Sequence, residues 1–336
     1  MRDALVRRLW YGDGYAAITA RAILTPFEWM YGVASVVTGA WRARDAGRSA
    51  VPTVSVGNIT VGGTGKTPLA AWVAAQLVRR GRSPALLIRG YGADEPLVHA
   101  RLNPRVPVFV NPDRRTAAAA AVSQGANTLV LDDAFQHRQM PRDADVVVVS
   151  ADLWCDAPPR LLPAGPFREP LTALRRSSLI VVTRKAATRE RASEVSRQLG
   201  AVAVSVPLAV AHLAPECLRR WSDGTEEPVS ALADERVIAV SGIGAPDAFA
   251  AQLRAAGATV ESLAFGDHHA FTDADVEAIA RRAAGAARVV CTLKDAVKLG
   301  DRWNARTPAL WYLSQSVVFE TGAPAVHAML DRLAAR

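Results

Sequence analysis

GNITVGGTGKTP, residues 57–68, is the stretch on which the reading of this chain turns. It lies between PTVSVGN (52–58), apolar enough for a buried strand, and a segment from Pro68 to Arg80 with helical character. At such a junction the loop amides and a helix N-terminus can surround a phosphate. Gly62, Gly63 and Gly65 supply the backbone freedom and close approach that this cradle needs. Lys66 can reach the terminal phosphates, and the Thr67 hydroxyl can bind Mg²⁺. Pro68 costs little there, because its missing N–H would have had no intrahelical partner. The usual pattern G-x-x-x-x-G-K-[ST] asks for glycine at position 60, where this chain has Thr60. The spacing G-G-x-G-K-T fits a variant loop in which that first glycine is dispensable, and the bland alternative is a structural turn with an incidental lysine. We take Thr60, Val61, Gly62, Gly63, Thr64, Gly65, Lys66 and Thr67 as the nucleotide-phosphate loop.

Working outward, strands alternate with helices. PALLIRG (84–90), TLVLDD (128–133), VVVVS (146–150) and LIVVT (179–183) are near-continuous apolar runs, which indicates strands buried on both faces of a parallel sheet. The expected fold is α/β: a P-loop NTPase-like, doubly wound parallel sheet, with a smaller α/β domain after it. Residues 1–48 hold N-terminal helices, 49–204 the nucleotide-binding core, 205–230 an extended hairpin or linker, and 231–336 the smaller domain. NTLVLDDAFQH places Asp132 and Asp133 at the carboxyl end of a strand, where open α/β sheets hold their ligands. A carboxylate there is the usual Mg²⁺ partner of the loop threonine, although such a pair can also cap a helix. Guanine recognition would show as N-K-x-D. TRKA (183–186) and TLKD (292–295) do not fit that order, which favours ATP.

The net charge of +8 suits an anionic partner such as a membrane surface or a phosphorylated substrate. Nucleic acid is disfavoured, since the arginines are scattered without an aromatic–basic stripe. Only Lys66, Lys185, Lys294 and Lys298 are lysine among 40 basic residues, so each lysine is informative. Cys155, Cys217 and Cys291 have no metal-ligand spacing and read as reduced thiols. The longest apolar run, residues 29–41, is shorter than the roughly 20 residues a spanning helix needs. One helix is expected over about 2–22 and a second from Thr25, with Thr25 as N-cap, Pro26 at the first helical position and Glu28 completing a capping box. Their Trp, Tyr and flanking Arg residues suit a membrane interface, or packing on the protein's own core.

GNITVGGTGKTP, RGYGADEP (89–96), LDDAFQH (131–137), LLPAGPFREP (161–170), FGDHHAFTDAD (265–275) and TLKDAVKL (292–299) together resemble the tetraacyldisaccharide 4'-kinase family. The resemblance runs from the N-terminal helices to the last strand. It implies transfer of the ATP γ-phosphate to the 4'-hydroxyl of a tetraacylated glucosamine disaccharide 1-phosphate, in lipid A biosynthesis. It also implies a peripheral enzyme on the cytoplasmic face of the inner membrane of a Gram-negative bacterium, touching the anionic leaflet, with no obligate protein partner. Its cofactors would be ATP and Mg²⁺. Lys66 would bind phosphates and assist catalysis, with Thr67, Asp132 and Asp133 around the metal. Asp94 matches the catalytic carboxylate and His268 its histidine partner, with His269 as the alternative. Arg114, His137, Arg168 and Glu169 would surround acceptor and phosphates. Ala134 stands where the motif commonly has glycine, and Leu293 where it has a polar residue. For Lys294, Asp295 and Lys298 the resemblance supplies no role. A membrane-recruited ATPase switch is the alternative, although such proteins carry a lysine where this chain has Val61.

Overall fold

The phosphate-loop sequence follows a strand that is buried at every position. The computed structural model describes residues 2–44, 49–90, 92, 94–267, 269–303 and 308–336. They form two units: Met1–Tyr91, His99–His212 and Phe319–Arg336 in one, and Gly92–Val98 with Leu213–Val318 in the other.

The first unit opens with α1 (Arg2–Tyr11) and α2 (Tyr15–Arg44), then β1 (Thr53–Asn58), α3 (Lys66–Arg79) and β2 (Pro84–Ile88). Next come α4 (Asp94–Leu102, of which residues to Val98 count with the other unit), β3 (Val108–Val110), α5 (Arg114–Ser123) and β4 (Thr128–Asp132). β5 (Ala144–Ser150), β6 (Leu179–Arg184), α6 (Arg189–Val202) and the start of β7 (Leu208–Arg220) complete the run. The strand order is β7-β6-β5-β1-β4-β2-β3, and every neighbouring pair is parallel. The apolar runs in the sequence are uniform for this reason: helices cover both faces, so no face is left for polar residues. The chain leaves β1 towards β2 and leaves β5 towards β6, on the other side of β1. A crevice therefore opens beyond the carboxyl ends of β1 and β5, the place where open sheets of this kind bind ligands.

In the second unit the rest of β7 pairs antiparallel with β8 (Glu226–Pro228). Then follow β9 (Arg236–Ser241), α7 (Pro246–Ala255), β10 (Thr259–Ala264), α8 (Asp273–Arg282), β11 (Arg288–Thr292), α9 (Leu293–Leu299) and β12 (Leu310–Thr321). β10-β9-β11-β12 run parallel. The closing helix α10 (Ala323–Ala334), which the sequence boundary put in the smaller domain, counts with the first unit. Its anchors explain this. Phe319 meets Trp72 edge-on at 5.0 Å, and Arg80 Nε donates to Asp331 at 2.8 Å. Gly322, at φ 72°, packs so tightly on the backbone of Leu208 and Ala209 that a Cβ would collide.

The N-terminal helices differ from the sequence expectation. The break falls at residues 12–14, and α2 runs through Pro26. Arg21 closes the end of α1, donating from Nη1 to the carbonyls of Leu9 (2.7 Å) and Gly12 (2.8 Å). Thr25 Oγ1 bonds the Arg21 carbonyl one turn back, so it does not cap. Glu28 is drawn out of the expected capping box by tertiary partners: it accepts from Arg160 Nε (2.8 Å) and the Leu161 N–H (2.7 Å). These bonds outweigh the local start signal that Thr25 and Pro26 carry. One face of α2 thus packs on residues 160–168, where Tyr31 also donates to the Arg168 carbonyl. The opposite face leaves Trp29, Met30, Val33, Val37 and Trp41 between 60% and 72% exposed. No helix among the described residues is long and apolar enough to cross a membrane.

Removing one partner of a half-buried ion pair leaves the other uncompensated, at roughly 1–3 kcal/mol. Glu28→Ala should therefore expose α2 to limited proteolysis about tenfold faster than the parent, with the cores still folded. An unchanged cleavage rate would show that Glu28 does not hold the helix down.

Candidate active site

The loop after β1 is pinned on both sides. Asn58, fully buried, donates from its amide to Thr64 Oγ1 (3.1 Å), and the Thr64 carbonyl accepts from the Thr183 hydroxyl (2.7 Å). Across from them the Val61 N–H bonds the Pro166 carbonyl (2.9 Å), and the Arg168 N–H bonds the Ile59 carbonyl (2.7 Å). Gly62 (φ 106°) and Gly65 (φ 90°) turn the chain through the left-handed region. α3 begins at Lys66, two residues before the sequence start at Pro68. Its first N–H groups lack intrahelical partners and carry the positive end of the helix dipole. An anion at this loop would meet oriented donors on a rigid frame.

β4 delivers the acidic pair. Asp132 is the last residue of that strand and is 5% exposed. Its Oδ2 lies 2.9 Å from His99 Nε2, its Oδ1 accepts the Asp133 N–H at 2.8 Å, and Thr67 lies beside it. Burial alone would raise the Asp132 carboxyl. The His99 hydrogen bond and charge, with Lys66 and Thr67, outweigh burial and hold it below the usual carboxylate range. Asp133 adopts φ 48°, a conformation that aspartate tolerates better than most residues, so Ala134 need not. Its carboxylate lies 3.8 Å from Lys66 Nζ and 3.1 and 3.2 Å from Arg168 Nη1. Arg114 at the start of α5 is 1% exposed and ties the turn from beneath, donating from Nη2 to the carbonyls of Asp132 (2.5 Å) and Asp133 (3.1 Å).

The structure therefore brings together Lys66, Thr67, Arg114, Asp132, Asp133 and Arg168. Two other residues from the same motifs are placed differently. Glu169 is engaged by Arg176 at 2.8 Å, and that guanidinium lies 3.7 Å over the Phe135 ring. His137 is pushed down to about 4 by burial first, then by Arg114, Arg142, Arg89 and Arg42, so it is neutral at physiological pH. Among the described residues no group of three or more His, Cys, Asp and Glu could hold a metal. Mg²⁺ needs only one or two carboxylates when phosphate oxygens complete its shell. Asp132 with Thr67 fits that donor set, whereas the oxygens of Asp133 face cations.

Asp94 opens α4 and is 7% exposed, and its Oδ2 has no hydrogen-bond partner among the described residues. A buried carboxylate oxygen without a hydrogen-bond partner calls for a physical reason, as it does for Asp145 Oδ1 and Asp295 Oδ1. His268 lies outside the described residues. For His269, the alternative, Nε2 is 3.0 Å from Asp275, and the ring stacks on Phe265 at 4.8 Å. Asp275, lowered to about 2 by the Thr272 N–H and then by His269, closes the capping box of α8. The TLKDAVKL segment is also accounted for. Asp295, fully buried, accepts from the Thr292 hydroxyl (2.7 Å) and faces Lys298 at 3.4 Å, and Lys298 Nζ donates to the His269 carbonyl (3.1 Å). Lys294 lies 3.8 Å from Asp267. The neighbours on both sides of position 268 are thereby held. His99 was not singled out from sequence, because a lone histidine in a short helix carries no signal of its partner thirty-three residues on.

The family model for tetraacyldisaccharide-1-P 4'-kinase matches residues 20–335. The tetraacyldisaccharide 4'-kinase of Anaeromyxobacter sp. (strain Fw109-5) is 39% identical over 338 aligned positions, covering 88% of each chain. That of Halorhodospira halophila is 37% identical and covers 97% of each. The crystal structure of LpxK from Aquifex aeolicus in complex with ATP is similar at TM-score 0.72 and 26% identity, covering 93% of this chain and 99% of that one.

A His137 shifted from 6.5 to about 4 takes its proton later in the folded than in the unfolded chain. Its contribution to stability is complete above about 6.5 and is lost as the pH falls towards 4. NMR of the His137 ring should show a neutral imidazole down to about pH 5. A midpoint near 6.5 would contradict the crowding of arginines around it.

Proposed function

The chain belongs to the tetraacyldisaccharide 4'-kinase family, and on that footing we propose that it transfers the γ-phosphate of ATP to the 4'-hydroxyl of a tetraacylated glucosamine disaccharide 1-phosphate, a step of lipid A assembly. The observation that carries this reading is the meeting of Lys66, Thr67 and Asp132 at the ends of β1 and β4, where the glycine loop enters the N-terminus of α3. Phosphoryl transfer asks little covalent chemistry of a protein. It asks for an aligned acceptor and for neutralisation of charge spread over the transferring group.

The loop amides that enter the N-terminus of α3 and the Lys66 ammonium would take up the ATP phosphates. Thr67 and Asp132 would hold Mg²⁺, which when bound supplies charge neutralisation at the phosphate oxygens. Arg168, beside Asp133 and Lys66, has the fork geometry that suits a phosphate oxygen. Asp94, with its unpartnered buried oxygen, would accept the proton of the 4'-hydroxyl, and His268 would partner it. Neutral His137 and the arginines around it would face the acceptor. Arg114 acts by holding the Asp132–Asp133 turn, and Glu169 by orienting Arg176.

The acceptor is a lipid, and the exposed face of α2 is built for an interface: Trp29, Met30, Val33, Val37 and Trp41 form an apolar stripe, with Arg42 and Arg44 closing the helix. With the net charge of +8, this favours peripheral attachment to the anionic cytoplasmic leaflet of the inner membrane of a Gram-negative cell.

The test is incubation with γ-labelled ATP, Mg²⁺ and tetraacyldisaccharide 1-phosphate in detergent micelles, followed by lipid analysis. Label is expected in the lipid at the 4' position. Release of inorganic phosphate without a labelled lipid would instead mark an ATPase switch. Asp94→Ala should lower kcat by about 10²–10⁴-fold with ATP binding retained, and a loss under about threefold would remove the general-base role. Met30→Glu with Val37→Glu should weaken binding to phosphatidylglycerol vesicles at least tenfold while leaving activity in micelles, since two carboxylates would enter the apolar stripe at more than about 1.4 kcal/mol in total. Undiminished vesicle binding would rule out α2 as the anchor.

A further inference from the structure

We infer that His99 is the positioning residue for Asp132, fixing the carboxylate beside Thr67 and, with it, the divalent cation that accompanies the nucleotide. The inference rests on the reading of Asp132 as the cation-side carboxylate of the kinase. His99 lies on α4 and is wholly shielded from solvent. Its ring makes one polar contact among the described residues, Nε2 to Asp132 Oδ2 at 2.9 Å, while Nδ1 is buried without a hydrogen-bond partner. An imidazole buried merely to fill space would be replaced with gain by an aliphatic side chain of similar size, because one of its nitrogens goes unsatisfied. What an aliphatic side chain cannot do is donate to Asp132.

The geometry shows what that donation does. Asp132 Oδ1 accepts the Asp133 N–H at 2.8 Å, and Oδ2 accepts His99. Each carboxylate oxygen has two lone-pair directions, so one on each oxygen remains after these bonds. With both oxygens tied, the carboxylate plane cannot rotate, and the free lone pairs keep a fixed aim beside Thr67. Without His99 only the neighbouring backbone N–H would restrain the group. Supports of this kind behind a metal ligand typically change metal affinity by about 10–100-fold when removed.

The test uses the full chain and N-methylanthraniloyl-ATP as the probe, with nucleotide binding followed by fluorescence as Mg²⁺ is titrated and no lipid present. His99→Leu should raise the Mg²⁺ concentration for half-maximal binding by about 10–100-fold, with metal-free binding in EDTA changed by less than about twofold. His99→Gln places an amide N–H near the Nε2 position and should stay within about threefold of the parent. A purely structural role would not separate these two variants or act only through Mg²⁺. Should the leucine variant fail to fold, His99→Asn, whose amide falls short of Asp132, takes its place. An Mg²⁺ dependence unchanged in a folded leucine or asparagine variant, or equal impairment in the glutamine variant, overturns the role of His99. Asp132→Asn serves as reference. If it leaves the Mg²⁺ dependence unchanged, the cation reading of Asp132 fails and takes this inference with it. If it shifts the dependence while His99→Leu does not, only the inference falls.

Discussion

The site depends on one register. β1 and β4 run side by side with Val54 opposite Val130 and Val56 opposite Asp132, so the acidic pair ends its strand level with the start of the glycine loop. Side chains alternate along a strand, and a slip of one residue would turn Asp132 to the other face and put a leucine or an aspartate of the wrong orientation beside Thr67. Burial of both faces of β4 makes such a slip expensive: every residue from Thr128 to Asp132 is buried. The chemistry at the end of the sheet is thus held by the hydrophobic packing of its middle, where Val54, Val56, Val130 and Leu131 are fully enclosed.

Onto that frame the protein adds a close balance of charge. Lys66 and Arg168 both face Asp133, and Arg114 satisfies the carbonyls of the turn that would otherwise be buried unbonded. The same segment that carries Arg168 pins the loop through Ile59 and Val61 and supports α2 through Tyr31 and Leu161. Residues 160–168 therefore join the phosphate loop to the helix with the exposed apolar stripe. On the proposed reading, this tie would set the position of the nucleotide loop relative to the helix that meets the membrane.

Much of this was legible in the sequence, and the parts that were not share a cause. The parallel sheet showed itself because uniform apolar runs have one common explanation, and the loop because its glycines, lysine and threonine fall at a strand–helix junction. Lys66 and Thr67 were read from that loop, and the aspartate pair from its place at the end of a strand. The helix break did not: Thr25, Pro26 and Glu28 form a sound local start signal, and only the distant Arg160 and Leu161 show why Glu28 is used otherwise. His99 and Asn58 were invisible for the same reason, since their meaning lies in Asp132 and Thr64, contacts set by the fold. The contacts of His269 with Phe265 and Asp275 were equally invisible, because they too are set by the fold.

The central claim is that the loop at residues 60–67 receives the triphosphate and that Lys66 moves from carboxylate to phosphate when it does. A crystal structure with Mg²⁺ and a non-hydrolysable ATP analogue tests this most directly. The expected result has phosphate oxygens about 2.7–3.2 Å from the loop amides, with Lys66 Nζ on the phosphates and Asp132 and Thr67 at the cation. An analogue whose triphosphate lies away from this loop, with Lys66 still facing Asp133, would contradict the account.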